Sequence, residues 1–380
     1  MHLLHVIGAR PNFVKFAPLY HRIKERSNVT QTVVHTGQHY ALALSDVFFE
    51  ELGLPAPDIN LGVGSDTHAR QTASVMIGLE PVISERKPDV VVVYGDVNST
   101  VAAALVCAKL RVKLAHVEAG LRSFDRSMPE EINRIITDQL CDLLFTPSLD
   151  ANQNLAREGV DAGKVHLVGN LMIDTLVRML PAAQATVRDR EREPYILVTL
   201  HRPGNVDENE WLQSMLHSLG ELSARVRILF PIHPRTRKRM LESGIVLPSN
   251  GNLHFLEPLS YLEFLGLQSR AAAVITDSGG IQEETSFLGV PCLTVRENTE
   301  RPVTITHGTN LLVGRDVRRV MREVHNILDS RERPQRPIPL WDGKAAERTA
   351  ALLLNDAGCR VPQDTVGAEP RIKAFVENRA

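Results

Sequence analysis

Short apolar runs alternate with longer amphipathic stretches through almost the whole chain. Residues 3–7, 32–36, 90–94, 114–117, 143–146 and 165–168 read as strands, and a second series follows at 196–200, 226–231, 253–256, 273–276, 291–295 and 310–313. Between neighbours lie helical patterns, among them 13–26, 102–110, 132–141, 212–224 and 281–288. This strand-then-helix alternation predicts an α/β fold, with parallel sheets covered by helices on both faces. A helical pattern over 170–180 and a polar stretch over 184–194 separate the two series. The charged run 188–193 in that stretch reads as a solvated connector. Near the end, 334–339 is proline-rich and 342–354 reads as an amphipathic helix. The residues after Asn355 read as an extended or frayed tail.

Bulk properties narrow the picture only a little. A chain of 380 residues is long enough for two sizeable cores. A formal charge of −2 gives no electrostatic reason to expect nucleic acid as a partner. No apolar run approaches the roughly 20 residues that span a bilayer, so no membrane partner is expected. The first residues enter a strand without a charged leader, which predicts no secretion signal. Cys107, Cys141, Cys292 and Cys359 are scattered, and three of them sit in apolar surroundings. They suggest core residues rather than a disulfide framework or thiolate metal site, and so the reducing cytoplasm.

Two turns suit an anion. Thr276-Asp277-Ser278-Gly279-Gly280-Ile281-Gln282-Glu283-Glu284 follows the apolar run 271–275, in the order strand, tight turn, helix start. Ser278 is placed to cap that helix, and Gly279 and Gly280 let a ligand approach the backbone. The helix end attracts phosphate, and Glu284, about a turn further on, could accept hydrogen bonds from a ribose. An ordinary capped helix is the competing reading. The second turn, Gly8-Ala9-Arg10-Pro11-Asn12, again joins a strand to a helix, with Arg10 able to fork two phosphate oxygens and Lys15 adding a point charge. One such turn in each half suggests a nucleotide held between two domains.

Other polar residues stand where the strands end, the side on which doubly wound sheets bind ligands. Asp96 follows the strand over 90–94 and either faces the cleft or caps Ser99 or Thr100. Glu118, in His116-Val117-Glu118-Ala119-Gly120-Leu121-Arg122, ends another strand, where a carboxylate needs a partner; Arg122 is the one at hand. Met128-Pro129-Glu130-Glu131-Ile132-Asn133-Arg134 opens a helix, and His201-Arg202 and His233 each follow a strand of the second half. Carboxylates and histidines around an anion site fit acid–base chemistry on a phosphorylated ligand. There is no His-Glu-x-x-His and no Cys-x-x-Cys, so no metal is expected. Nor does any Gly-x-Gly-x-x-Gly follow a strand, and the Walker and Gly-x-Ser-x-Gly patterns are absent, so no cofactor is expected either.

Assembled, these segments resemble the non-hydrolysing UDP-N-acetylglucosamine 2-epimerases. Gly8–Pro11, Thr36-Gly37-Gln38-His39, Gly95-Asp96, His116–Arg122, Pro129–Arg134, Gly169-Asn170, His201-Arg202, Thr276–Gly280, Arg296–Pro302, Gly308–Asn310 and Asp342–Ala345 carry the likeness over about the first 355 residues. The resemblance implies two Rossmann-like doubly wound domains in a glycosyltransferase-B-like arrangement. The active-site cleft would lie between 1–169 joined by 343–380 and a UDP-binding 170–342. It implies elimination of UDP and its re-addition, which inverts carbon 2 of the sugar. By position, Asp96, Glu118, His201 and one glutamate of the Pro129-Glu130-Glu131 run match catalytic residues, with Glu130 favoured over Glu131. Arg10, His233, Ser278, Gly279 and Glu284 match UDP contacts, with Gly280, Lys15 and Arg134 close by and Phe264 facing the uracil. Gln38, His39 and Arg70 resemble positions that hold a second, activating UDP-sugar, and homodimers are usual in the family. Asn12 stands where many members carry Glu, and Leu200 where others have Gly, which leaves the sugar substituents open. A glycosyltransferase, a hydrolysing epimerase and a nucleotide-sugar sensor are the competing functions.

Overall fold

In the computed structural model the chain is described at residues 1–38, 48–187, 193–232, 234–242, 251–330 and 337–356. His39, His233, Cys359, most of the charged run 188–193 and the tail beyond 356 lie outside the described residues. Among the described residues, thirteen strands build two wholly parallel sheets. β1 (His2–Ile7), β2 (Thr30–His35), β3 (Ile59–Asn60), β4 (Val90–Tyr94), β5 (Leu114–Val117), β6 (Leu143–Thr146) and β7 (Val165–Leu167) lie in the order β3-β2-β1-β4-β5-β6-β7. β8 (Tyr195–Thr199), β9 (Arg227–Pro231), β10 (Leu253–Leu256), β11 (Ala273–Thr276), β12 (Cys292–Thr294) and β13 (Asn310–Leu312) lie in the order β10-β9-β8-β11-β12-β13.

Each order reverses once, between β1 and β4 in one sheet and between β8 and β11 in the other. His5 pairs with Val92 and Leu197 with Val274 across those two seams. Consecutive strands leave such a seam in opposite directions, so the turns at its carboxyl end part and open a crevice. The two anion-suited turns follow β1 and β11, so each sheet presents one of them at its own switch point.

β4 shows why a central strand forms here, because its residues are apolar throughout. Val90, Val91, Val92, Val93 and Tyr94 are all buried, as a parallel strand with helices on both faces requires. Helix Leu171–Ala185 ties the lobes together. Its Leu171, Met172, Leu176, Met179 and Ala183 join the core beneath the first sheet, and Leu265 of the second lobe packs into the same cluster. The last described helix, Ala345–Asp356, returns to the first lobe and contributes Ala345, Ala350 and Leu353 to that core. Buried Asp174 accepts the N–H groups of Ala345 at 3.1 Å and Ala346 at 2.7 Å, capping the returning helix. Just before it, the indole of Trp341 donates to the Pro147 carbonyl at 2.9 Å.

Twelve strands stand within a residue or two of their sequence-predicted positions, whereas β3, only two residues long, was not anticipated. Helix Asn98–Leu110 begins earlier than its pattern suggests: Asn98, Ser99 and Thr100 are polar but buried beneath the turn after β1. Cys107, Cys141 and Cys292 are buried and unbridged. Among the described residues no helix is long and apolar enough to cross a membrane.

Candidate active site

The two crevices face each other and enclose about 660 Å³ between the lobes. From the first lobe, Arg10 and Lys15 reach in from helix Arg10–Lys24, Asp96 from the turn after β4, and Glu130 from the first turn of helix Pro129–Leu140. From the second, His201 and Arg202 follow β8, Ser278, Gly279 and Gly280 follow β11, and Phe264 and Glu284 line the far wall. Helix Gly279–Leu288 points its N-terminus into this space, so its free N–H groups suit an anion.

Local sequence sets each side chain. Asn12 is buried; its Oδ1 accepts the N–H groups of Gly8 (2.9 Å) and Ala9 (3.0 Å), and its Nδ2 donates to the Tyr94 carbonyl (2.8 Å). It thereby clamps the turns after β1 and β4 together. The guanidinium of Arg10 rests over the Phe48 ring, 4.6 Å from its centroid. Ser278 is the N-cap residue, but contrary to the sequence expectation its side chain makes no capping hydrogen bond. A Cβ on Gly279 would stand 2.6 Å from Arg301 Nη1 and 2.9 Å from Glu300 Oε1, so any side chain there would push that ion pair aside.

Glu118 sits at the focus of a charged cluster, with φ of +74°, a conformation costly for a non-glycine residue. Its carboxylate meets Lys15 Nζ at 2.8 Å and Arg301 Nη2 at 3.4 Å, the latter from the opposite lobe. The sequence offered Arg122 as its partner, and this is corrected by the structure. Arg122 turns away to Asp138 at 2.8 Å and Glu158 at 2.7 Å, because the left-handed residue and Gly120 reverse the chain between the two. Asp138 also holds His116 Nδ1 at 2.7 Å, and His116 Nε2 lies 2.8 Å from the Gly95 carbonyl, bracing the turn that carries Asp96.

Asp96 does not cap the following helix; it pairs with Arg134. Burial alone would raise its pKa, but Arg134, Lys15 and Arg301 outweigh that and hold it below the usual carboxylate value. The two neighbouring glutamates separate cleanly. Glu131 is buried, bonded to Ser123 and the Phe124 N–H and paired with Arg134, whereas Glu130 is exposed to the cavity. On the far wall burial pushes Glu284 up to about 7, although the Tyr261 hydroxyl donates to it at 2.9 Å. Glu283, buried beside it and joined to Arg301 at 3.0 Å, is likewise raised to about 7, chiefly by burial.

Comparisons with known proteins decide what this arrangement belongs to. The family described as UDP-N-acetylglucosamine 2-epimerase matches residues 21–354. A UDP-N-acetylglucosamine 2-epimerase of Methanocaldococcus jannaschii is 43% identical over 93% of this chain and 99% of its own. The chain belongs to the UDP-N-acetylglucosamine 2-epimerase family. A crystal structure of the Methanocaldococcus jannaschii UDP-GlcNAc 2-epimerase, in complex with UDP-GlcNAc and UDP, superposes with a TM-score of 0.85 at 42% identity, covering 93% of this chain and all of that one. A UDP-2,3-diacetamido-2,3-dideoxy-D-glucuronate 2-epimerase of Pseudomonas aeruginosa is 42% identical over 83% of this chain and 88% of its own.

The family's glycosyltransferase-B-like α/β fold is therefore the fold of this chain. Of the sequence-predicted site residues, Arg10, Lys15, Asp96, Glu130, His201, Phe264, Ser278, Gly279, Gly280 and Glu284 line the one cavity. Glu118 and Arg134 stand directly behind it, bonded to Lys15 and Asp96. Gln38 is buried, accepting the Ser99 N–H at 3.2 Å and hydroxyl at 2.7 Å, and Arg70 is exposed on helix His68–Arg86. Sequence reasoning passed over Arg301, Glu300, Tyr261 and Asp277. Arg301 and Glu300 lie in the quoted Arg296–Pro302 motif and Asp277 in Thr276–Gly280, so motif membership was the signal that could have found them.

Proposed function

We propose that the protein interconverts UDP-N-acetylglucosamine and UDP-N-acetylmannosamine without net hydrolysis. A base removes the proton at carbon 2. The electron pair of that C–H bond forms a carbon 1–carbon 2 double bond, and the pair of the carbon 1–oxygen bond leaves with UDP. UDP then adds back to carbon 1 while carbon 2 takes a proton on the opposite face. The observation that carries this reading is one cavity with acids on one wall and a helix N-terminus on the other. Asp96 and Glu130 line it from the first lobe with Glu118 directly behind; the Gly279 turn, Arg202 and His201 come from the second. Carboxylates suit proton abstraction, while N–H groups and guanidinium suit a departing diphosphate.

In this reading Arg10, Lys15, Arg134, Ser278, Gly279 and Gly280 serve the diphosphate, and Phe264 and Glu284 the uridine. His233 completes that UDP set. The first lobe is 1–169 with the returning helix after 343, and the UDP-binding lobe is 170–342. A second UDP-sugar beside Gln38, His39 and Arg70 would activate, and a cytoplasmic homodimer is the working form. The 42%-identical relative named for a diacetamido-glucuronate supports a second reading, a UDP-2-acetamido sugar substituted at carbons 3 and 6.

Incubation with UDP-N-acetylglucosamine, followed by proton NMR of the products, tests the proposal. It predicts an equilibrium mixture of the two UDP-sugars. Free N-acetylmannosamine with UDP as the lasting products would refute the non-hydrolytic reaction; turnover only of the 3,6-substituted sugar would establish the second reading.

A further inference from the structure

His201 is gripped by a residue that lies far along the chain. Asp277 immediately follows β11 and is fully buried. Its Oδ1 stands 2.8 Å from His201 Nδ1, and its carboxylate accepts the backbone N–H of His201 at 3.1 Å and of Arg202 at 2.9 Å. Asn205 Nδ2 donates to it at 3.0 Å, and also donates to the Val295 carbonyl at 3.0 Å, which fixes that amide's orientation. Besides the imidazole, the groups that meet Asp277 are donors: two backbone N–H groups and an amide N–H whose orientation is fixed. Only a group that accepts at both oxygens fits, and that is a carboxylate.

Resting on the proposed elimination, we infer that Asp277 is a positioning residue that keeps a proton on His201 Nδ1, making Nε2 the nitrogen that exchanges a proton with the cavity. A hydrogen bond to one ring nitrogen decides which role the other can take. Burial would raise the Asp277 pKa, but His201, Asn205 and the Arg202 N–H together outweigh it and hold the carboxyl below its usual value, so the carboxylate accepts and Nδ1 donates. The His201 ring lines the cavity beside Arg202. The other charges facing this corner are Arg296, Glu300 and Arg301, on the loop after β12. Asp277 thus orients the ring through both its backbone and its side chain. An asparagine there would aim its own N–H groups at a donor, whichever way it turned.

The test has two parts. In wild-type protein with UDP bound, nitrogen-15 NMR of the imidazoles, with His201→Gln identifying the resonance, is expected to find Nδ1 protonated and Nε2 as the exchanging nitrogen. A neutral ring protonated at Nε2 would overturn the inference, with no need for an Asp277 variant to fold. In Asp277→Asn, kcat is expected to fall about a hundredfold with KM and UDP affinity little changed, and the low-pH limb of the kcat profile to move to lower pH. An unchanged kcat and pH profile would overturn it, and so would equal losses of kcat and UDP affinity. If the wild-type protein binds UDP with the expected ring tautomer but does not epimerise, the proposed reaction fails and the positioning role stands.

Discussion

At the scale of single residues, the site works by setting opposed charges against burial. Glu118 combines a left-handed backbone with contacts to Lys15 and Arg301, so its carboxylate is held where both lobes meet. Glu118→Gln keeps the size but loses the ability to take a proton. Turnover is expected to fall by at least about a hundredfold while UDP still binds. Calorimetry finding UDP affinity lost along with activity would instead place Glu118 among the binding groups. Glu284 gives a pH signature. Burial raises its carboxyl to about 7, and a ribose hydroxyl donating to it favours the ionised form. Affinity for UDP-glucose, whose diphosphate does not titrate near neutrality, is therefore expected to strengthen as pH rises through about 7, and to lose that dependence in Glu284→Gln. Equal slopes in both proteins would remove Glu284 from the uridine site. Residue identities were legible in the sequence because they stand at strand ends, yet their partners were not. Arg122 is four residues from Glu118 and points elsewhere, whereas Lys15 and Arg301 are distant in the chain and arrive only through the fold.

At the scale of elements, the strands were readable because a parallel strand covered on both faces must be apolar throughout. Val90–Tyr94 and Ala273–Thr276 declare themselves on that ground. Ile59–Asn60 is too short to carry any period, and the polar start of helix Asn98–Leu110 is buried for tertiary reasons that no local pattern records. Capping by a distant side chain was equally hidden, as at the returning helix, which leans on Asp174. Burial raises that carboxyl to about 6 in spite of the two N–H groups it accepts. A folded-state pKa above the unfolded value means that this group's contribution is full below the unfolded value, about 4, and fades as pH rises through about 6. Asp174→Ala is thus expected to destabilise the protein by about 1–2 kcal/mol in mild acid and by less above neutrality. Thermal melts of both proteins across that range check it. A deficit that grew with pH would contradict the assigned burial effect.

At the scale of the whole molecule, two switch points face each other across one crevice, with Asp96 and Glu130 on one side and the Gly279 turn on the other. The pairing of Glu118 with Arg301 makes this carboxylate answer to the position of the second lobe through one ion pair. The repeated strand–turn–helix pattern revealed two lobes and the end of each at which a ligand sits. It did not reveal which side chains would meet across the gap, since that depends on how the lobes are set by helix Leu171–Ala185. The central claim is that hydrogen at carbon 2 is removed and returned inside this crevice. The most direct measurement is turnover of UDP-N-acetylglucosamine in deuterium oxide, with carbon 2 followed by NMR. The account predicts deuterium at carbon 2 in both UDP-sugars at equilibrium; conversion of one into the other with the original hydrogen retained would contradict it.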